Sequence, residues 1–184
     1  MNEEIIFSGF GGQGALFAGQ LLAYAALDSG LHVTWIPSYG PEMRGGTAHC
    51  TVVVSDEPIG SPLVRRPQSV VALNLPSFEK YEQLVRDGGL VVYNESLVPA
   101  KPSRTGIRFV PVPANDIAEA LGNVRMANVV LLGAYLVATN MLPLEAVETA
   151  LDRHLGERQR KYLDANKQAL RRGAEFARDL LLVR

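Results

Sequence analysis

Ile5-Ile6-Phe7-Ser8-Gly9-Phe10-Gly11-Gly12-Gln13-Gly14, followed without a break by Ala15-Leu16-Phe17-Ala18-Gly19-Gln20-Leu21-Leu22-Ala23, decides how the rest of the chain is read. An apolar run, four glycines within six positions and a run of helix formers spell strand, turn and helix in that order. The glycines leave no side chain between the backbone and whatever lies above the turn. The helix behind them directs free N–H groups and the positive end of its dipole the same way. Such an arrangement cradles an anion, whether phosphate, pyrophosphate or carboxylate. The same glycines also permit a tight strand-to-helix contact, and the turn alone does not choose between these uses.

Working outward, 184 residues suit one domain, residues 1–184, with enough chain to bury a core unaided by disulfides or metals. A net charge of -1 and a hydrophobic share of 47% describe an ordinary globular chain without the basic field that nucleic acid requires. The single Cys50 excludes an intramolecular disulfide, a self-contained iron–sulfur cluster and a Cys-rich zinc site. It reads as a small core residue in a reducing cytoplasm. Glu3 and Glu4 stand where a secretory signal carries positive charge, so no export is expected. The most apolar run, Val129 to Val137, falls well short of the roughly 20 residues of a membrane helix and is expected to be a buried helix.

Along the chain, a strand at about Glu4 to Ser8 leads into a helix from Ala15 to about Leu27, closed by Gly30 in the left-handed C′ position. Leu31 to Ile36 is a second strand, and the helical crossover implies a right-handed βαβ unit in a parallel sheet. Pro37 to Gly46 is too rich in proline and glycine for regular structure. Thr47 to Ser55 is a third strand, and Ile59 to Pro62 a short edge piece. Further strands are expected at Ser69 to Asn74, Leu90 to Asn94 and Ile107 to Val112, with a helix starting at Pro76 and running to about Val85. Asn115 or Asp116 caps a short helix to Leu121, and Pro99 to Gly106 is an exposed loop. Helices then follow at about Met126 to Thr139, Leu144 to Leu155 and Tyr162 to Leu182. In the last of these, Leu163, Asn166, Leu170, Gly173, Ala177 and Leu180 form the buried face, and Arg171, Arg172, Glu175 and Arg178 a solvated one. The fold class is α/β, a three-layer Rossmann-like sandwich with a largely parallel sheet and C-terminal helices.

Gly9, Gly11 and Gly14 satisfy G-x-G-x-x-G after a strand and before a helix. A dinucleotide fold would place Asp or Glu at the end of the second strand, and here that strand ends Ile36-Pro37-Ser38. Gly14-Ala15-Leu16 likewise lacks the Gly-Lys-Ser/Thr of a P-loop. If the sheet is parallel, Gly9 to Gly14 and Pro37 to Gly46 meet at the carboxyl edge of the strands, where open α/β sheets bind ligands. Arg44 is the cation of that pair of loops, either a fork for phosphate or carboxylate or one half of a surface pair with Glu42. His49 and Cys50 are adjacent in a strand and point to opposite faces, and His32 and His154 stand alone. No nucleophile with its base and no metal-ligand spacing is legible in the order of residues.

Ser8-Gly9-Phe10-Gly11-Gly12-Gln13-Gly14 together with Pro37-Ser38-Tyr39-Gly40-Pro41-Glu42-Met43-Arg44-Gly45-Gly46-Thr47-Ala48 resembles the gamma subunit of the 2-oxoacid:ferredoxin oxidoreductases, of the 2-oxoglutarate and branched-chain 2-oxoacid types. The similarity continues through Val52 to Asp56 and Asn128 to Ala134. It implies a subunit without its own catalytic centre, in an enzyme that oxidatively decarboxylates a 2-oxoacid to an acyl-CoA and passes electrons to ferredoxin. The resemblance places thiamine diphosphate, magnesium and iron–sulfur clusters on partners: alpha and beta thiamine-binding subunits and a ferredoxin-like delta subunit or ferredoxin. It implies coenzyme A at a subunit interface, beside Gly9, Gly11, Gly12, Gln13, Gly14, Ser38, Tyr39, Arg44, Gly45 and Gly46. The alternative reading is a free-standing Rossmann-type nucleotide-binding oxidoreductase.

Overall fold

The computed structural model describes residues 1–38, 47–99 and 102–183. Its centre is a six-stranded sheet in the order β2-β3-β1-β4-β5-β6, built from β1 (Asn2–Phe10), β2 (His32–Ser38), β3 (Thr47–Ser55), β4 (Ser69–Ala72), β5 (Leu90–Asn94) and β6 (Arg108–Val112). Five strands share one direction. β3 alone opposes them, pairing with β1 from Asn2↔Ser55 to Phe10↔Thr47 and with β2 from His32↔Ser55 to Ser38↔His49. The first crossover joins strands that run in the same direction, as its sequence implies, though they are not neighbours. β1 and β2 are parallel, but β3 folds back along β2 and inserts its other edge against β1.

Alternation along β1 divides the core. Ile5 and Phe7 point to the face covered by α1 (Ala15–Asp28), α3 (Ala114–Ala120), α4 (Ala127–Thr139), α5 (Leu144–His154) and α6 (Leu163–Leu182), where they join Leu22, Val52, Leu131 and Leu170. Ile6 points the other way, into a smaller cluster with Val70, Phe78, Tyr81 and Val91 beneath the single short helix α2 (Leu75–Glu82). The sandwich has three layers, but one of them is thin.

The apolar run 129–137 reads without an alternating face because α4 lies between the sheet and α6 and is buried from Ala127 to Leu136. α4 and α6 approach through glycines. A Cβ on Gly133 would strike the Leu170 carbonyl, and one on Gly173 the Val130 carbonyl. α6 has the expected buried face, with Asn166, Leu170, Gly173 and Ala177 inside. Its Arg171 is more than solvated, holding both Glu148 carboxylate oxygens on α5 at 2.6 and 2.8 Å. α1 ends as its sequence implies. Gly30 takes φ +82°, Leu31 N–H donates to the Ala26 carbonyl and Gly30 N–H to that of Leu27, the paired bonds of a Schellman stop.

Three local expectations are corrected. Ile59 to Pro62 forms no strand. Pro113, not Asn115 or Asp116, holds the N-cap of α3, because Asn115 is turned toward β5 instead. His154 does not stand alone: its ring stacks on Tyr24 at 4.1 Å and its Nε2 lies 3.0 Å from Asp28 Oδ2, tying α5 to α1. Among the described residues no helix is long and apolar enough to cross a membrane.

Candidate functional site

The turn after β1 is closed by Gln13 N–H donating to the Phe10 carbonyl at 3.0 Å, with Gly12 in its third position at φ +94°. That is the position where a type II turn demands a left-handed residue, so glycine is required by the backbone. No atom lies within 4 Å of where a Gly12 Cβ would stand, and Gly11 and Gly12 are exposed, so the backbone surface over the turn is open. Gly9 has a different task. It is buried, and a Cβ there would press on Gln13 Oε1 and Leu73 at 2.9 and 3.0 Å, so it serves packing beneath the turn.

Gly14 takes φ +80° and accepts Ala18 N–H at 3.0 Å, starting α1 with no side chain to cap the helix head. Asn128 of α4 donates its Nδ2 to the same carbonyl at 3.0 Å, and a Cβ on Gly14 would collide with that carboxamide. The head of the 14-residue helix α1, without a side-chain cap, thus lies directly behind an exposed glycine turn.

Around it runs a series of neutral carboxamides. Gln13 Oε1 accepts from Phe10 N–H at 2.7 Å and from Asn74 Nδ2 at 2.9 Å, locking the turn to the end of β4. Asn74 Oδ1 in turn accepts Ser77 N–H at 2.9 Å and caps α2. At the end of β5, Asn94 Nδ2 donates to the Leu73 carbonyl at 3.2 Å and to Asn115 Oδ1 at 2.8 Å. Gly12, Gln13, Asn94, Asn115 and Arg125 border a hollow of about 160 Å³ beside the turn. Arg125 is the charged residue among its described walls.

Ser38 ends β2 opposite His49, at the same end of the sheet as Phe10, which pairs with Thr47. Both described ends flanking 39–46 thus lie at the edge that holds the glycine turn. Tyr39, Arg44, Gly45 and Gly46 themselves lie outside the described residues, as does Glu42. His49 and Cys50 point to opposite faces as expected. His49 lies against Tyr81 with ring centroids 5.6 Å apart, and burial first, then Lys80, lowers its pKa. Cys50 is fully buried against α1, and burial pushes its thiol up to about 12. Among the described residues no three His, Cys, Asp or Glu side chains gather in metal-binding range.

Sequence reasoning missed Asn74, Asn94, Asn115, Asn128 and Arg125. A signal existed for the first two. Each follows a short apolar strand, and in a largely parallel sheet strand ends converge on one edge. Asn128 carried none, because its meeting with Gly14 depends on how α4 docks across α1.

The described residues at this edge are a glycine turn, oriented carboxamides and one arginine, set on an α/β domain. The chain belongs to the family described as pyruvate ferredoxin/flavodoxin oxidoreductase, whose sequence profile matches residues 4–176. It is 42% identical over 177 residues to ketoisovalerate oxidoreductase subunit VorA of Methanothermobacter thermautotrophicus, covering 96% of this chain and 36% of the relative. The chain therefore spans about a third of that protein's length. It is 37% identical over 183 residues to 2-oxoglutarate synthase subunit KorC of Methanocaldococcus jannaschii, covering 98% of this chain and 96% of the relative. Among solved structures it is similar to the gamma subunit of a keto/oxoacid ferredoxin oxidoreductase from Geobacter sulfurreducens, with TM-score 0.82, 30% identity and coverage of 95% and 98%. The fold also recurs, with TM-score 0.86 and 24% identity over 97% of this chain and 31% of the other, in the 2-oxoglutarate:ferredoxin oxidoreductase of Magnetococcus marinus, solved with 2-oxoglutarate, coenzyme A and succinyl-CoA bound.

Proposed function

We propose that this chain is the gamma subunit of a multi-subunit 2-oxoacid:ferredoxin oxidoreductase of the cytoplasm, acting as one gamma-type domain over residues 1–184. The complex decarboxylates a 2-oxoacid oxidatively, forms an acyl-CoA and delivers electrons to ferredoxin. The chain is inactive alone. Alpha and beta subunits carry thiamine diphosphate and magnesium, and iron–sulfur clusters reside on partners including a ferredoxin-like delta subunit. KorC, similar over nearly the whole of both chains, supports this reading.

The observation that carries the ligand assignment is the open backbone over Gly11 and Gly12 in front of the uncapped head of α1. Phosphate oxygens fit such a cradle, and the carboxamides that fix it bring no negative charge to repel them. In this proposal Gly11, Gly12 and Gly14 hold coenzyme A phosphates through backbone N–H groups, Gln13 keeps the turn in place because its own N–H closes on the Phe10 carbonyl, and Ser38, Tyr39, Arg44, Gly45 and Gly46 complete the site from the second loop. Gly9 supports the turn from below. When bound, coenzyme A supplies the thiol that accepts the acyl group. This chain's residues bind and orient it while partners provide the reacting centre.

Calorimetry on the assembled complex tests the assignment. Coenzyme A is expected to bind and NAD not to, with Arg44→Ala weakening coenzyme A while the subunits still copurify. Binding of NAD by the isolated chain, with no affinity for coenzyme A in the complex, would overturn it in favour of a free-standing nucleotide-dependent enzyme.

A further inference from the structure

On the helical side of the glycine turn lies a second hollow, a cleft of about 380 Å³ between α1, the 3₁₀ turn Val124–Met126 and the 3₁₀ turn Glu157–Tyr162 that leads into α6. Its volume lies in the range of small-molecule sites. Phe17 and Leu155 supply apolar wall, and Asn128, Asn166, Asn123 and Arg125 supply polar groups.

Asn128 is only 4% exposed, and its carboxamide orientation is fixed because Nδ2 donates to the Gly14 carbonyl at 3.0 Å. Its Oδ1 is left buried with no hydrogen-bond partner among the described residues. A buried acceptor left unpaired is costly and calls for a donor. Asn166, 5% exposed, spends an Nδ2 hydrogen on the Tyr162 carbonyl at 2.8 Å and adds a second largely buried carboxamide to the wall. Asn123 has the opposite bias. Its Oδ1 accepts Arg125 backbone N–H at 3.1 Å, so the donor side of its carboxamide is not used in that bond.

The complement of this lining is an apolar or planar body that carries an N–H donor for Asn128 and an anion for Arg125. No carboxylate is among the lining residues, so nothing there offsets an ammonium, and a neutral amino group suits Asn128 better than a charged one. We propose that the cleft binds an amino-substituted nucleobase monophosphate. The exocyclic amino group donates to Asn128 Oδ1, the base lies on Phe17 and Leu155, and the phosphate faces Arg125 and Asn123. The cleft is a separate hollow from the one beside the glycine turn. The two are joined by Asn128, which bonds the Gly14 carbonyl, and by Arg125, which borders both hollows, so occupancy of the cleft stiffens the turn.

The test is calorimetry on the full-length chain with AMP, IMP and adenosine. AMP is expected to bind one per chain. IMP, which turns a carbonyl oxygen toward Asn128 Oδ1, is expected to bind at least about tenfold more weakly, the cost of opposing two acceptors. Adenosine is expected to bind more weakly than AMP, and Arg125→Gln to remove that difference. Gln159→Trp places bulk at an exposed wall position of the cleft and is expected to abolish AMP binding while leaving the unfolding midpoint and coenzyme A affinity unchanged. Absence of saturable AMP binding, or equal affinity for AMP and IMP, overturns the proposal and leaves the coenzyme A assignment standing. Displacement of AMP by coenzyme A, or loss of both ligands in Gln159→Trp, overturns it by making the cleft part of the coenzyme A site. AMP binding with no coenzyme A binding to the complex supports the cleft and sinks the other assignment.

Discussion

The two ends of the sheet are polar in different ways. At the carboxyl ends of the parallel strands, Gln13, Asn74, Asn94 and Asn115 are neutral and bonded to the backbone or to one another. At the opposite end stand charged groups: Glu3 with Arg86 and Arg108 in its field, and Asp56 paired with the N-terminal ammonium. Neutral carboxamides keep their orientation at every pH and neither attract a counter-ion nor repel an arriving phosphate. Charges at the other end respond to pH and salt without touching the cradle. Ligand geometry is thus separated from the groups that tune stability, and substitutions at each end should separate in the same way.

The largest effect is expected from Gly14→Ala. A side chain at φ +80° costs about 1–2 kcal/mol, and displacing the Asn128 carboxamide from the Gly14 carbonyl adds a loss of similar size, for a total of about 2–4 kcal/mol in urea unfolding. Gly12→Ala has only the backbone term because its outward side is empty, so about 1 kcal/mol is expected. If the two variants cost the same, the idea that Gly14 is doubly constrained fails. Between them stands Asn74→Ala, which removes the cap of α2 and one of two donors to Gln13. A loss of about 1–2 kcal/mol is expected, together with weaker coenzyme A binding by the complex, because Gln13 no longer ties the turn to β4. Unchanged coenzyme A affinity in a folded Asn74→Ala complex would show that the carboxamide series is structural only.

The sequence made the glycine turn legible because its meaning is local. Strand, φ > 0 glycines and helix are written in consecutive residues, and the same holds for the Gly30 stop and the amphipathic face of α6. Sheet order was not local. Nothing in residues 31–55 tells whether the third strand pairs beside the first two or between them, and β3 chose the middle. The carboxamides were half legible, as asparagines at strand ends whose convergence requires the sheet direction to be known. Asn128 was illegible, since it sits in an apolar helix 114 residues from the Gly14 carbonyl it bonds. His154 failed for the same reason: its partners Tyr24 and Asp28 belong to a helix distant in sequence.

The smallest expected effects lie at the charged groups and carry opposite signs. Burial raises the pKa of Glu3 above the ordinary 4.5, with Arg86, Ser69 and Arg108 opposing it in that order. In the folded chain Glu3 therefore binds its proton more tightly than in the unfolded one, so stability falls as pH rises from 4.5 through the folded value, and at neutral pH the carboxylate is a cost. Glu148 is the reverse. The Arg171 hydrogen bonds lower its pKa, so its contribution is present above 4.5 and is lost as pH falls through the folded value. Glu3→Gln should leave stability at pH 7 unchanged or slightly higher and flatten its decline between acid and neutral pH. Glu148→Gln should lower stability at pH 7 by no more than about 1 kcal/mol, since the Arg171 side chain is half exposed, and the difference should vanish in acid. Urea midpoints from pH 4 to pH 7 decide the matter. If Glu3→Gln destabilises at pH 7, the attraction of Arg86 and Arg108 outweighs burial, and the charged end of the sheet is held together by its ion pairs rather than in spite of the carboxylate.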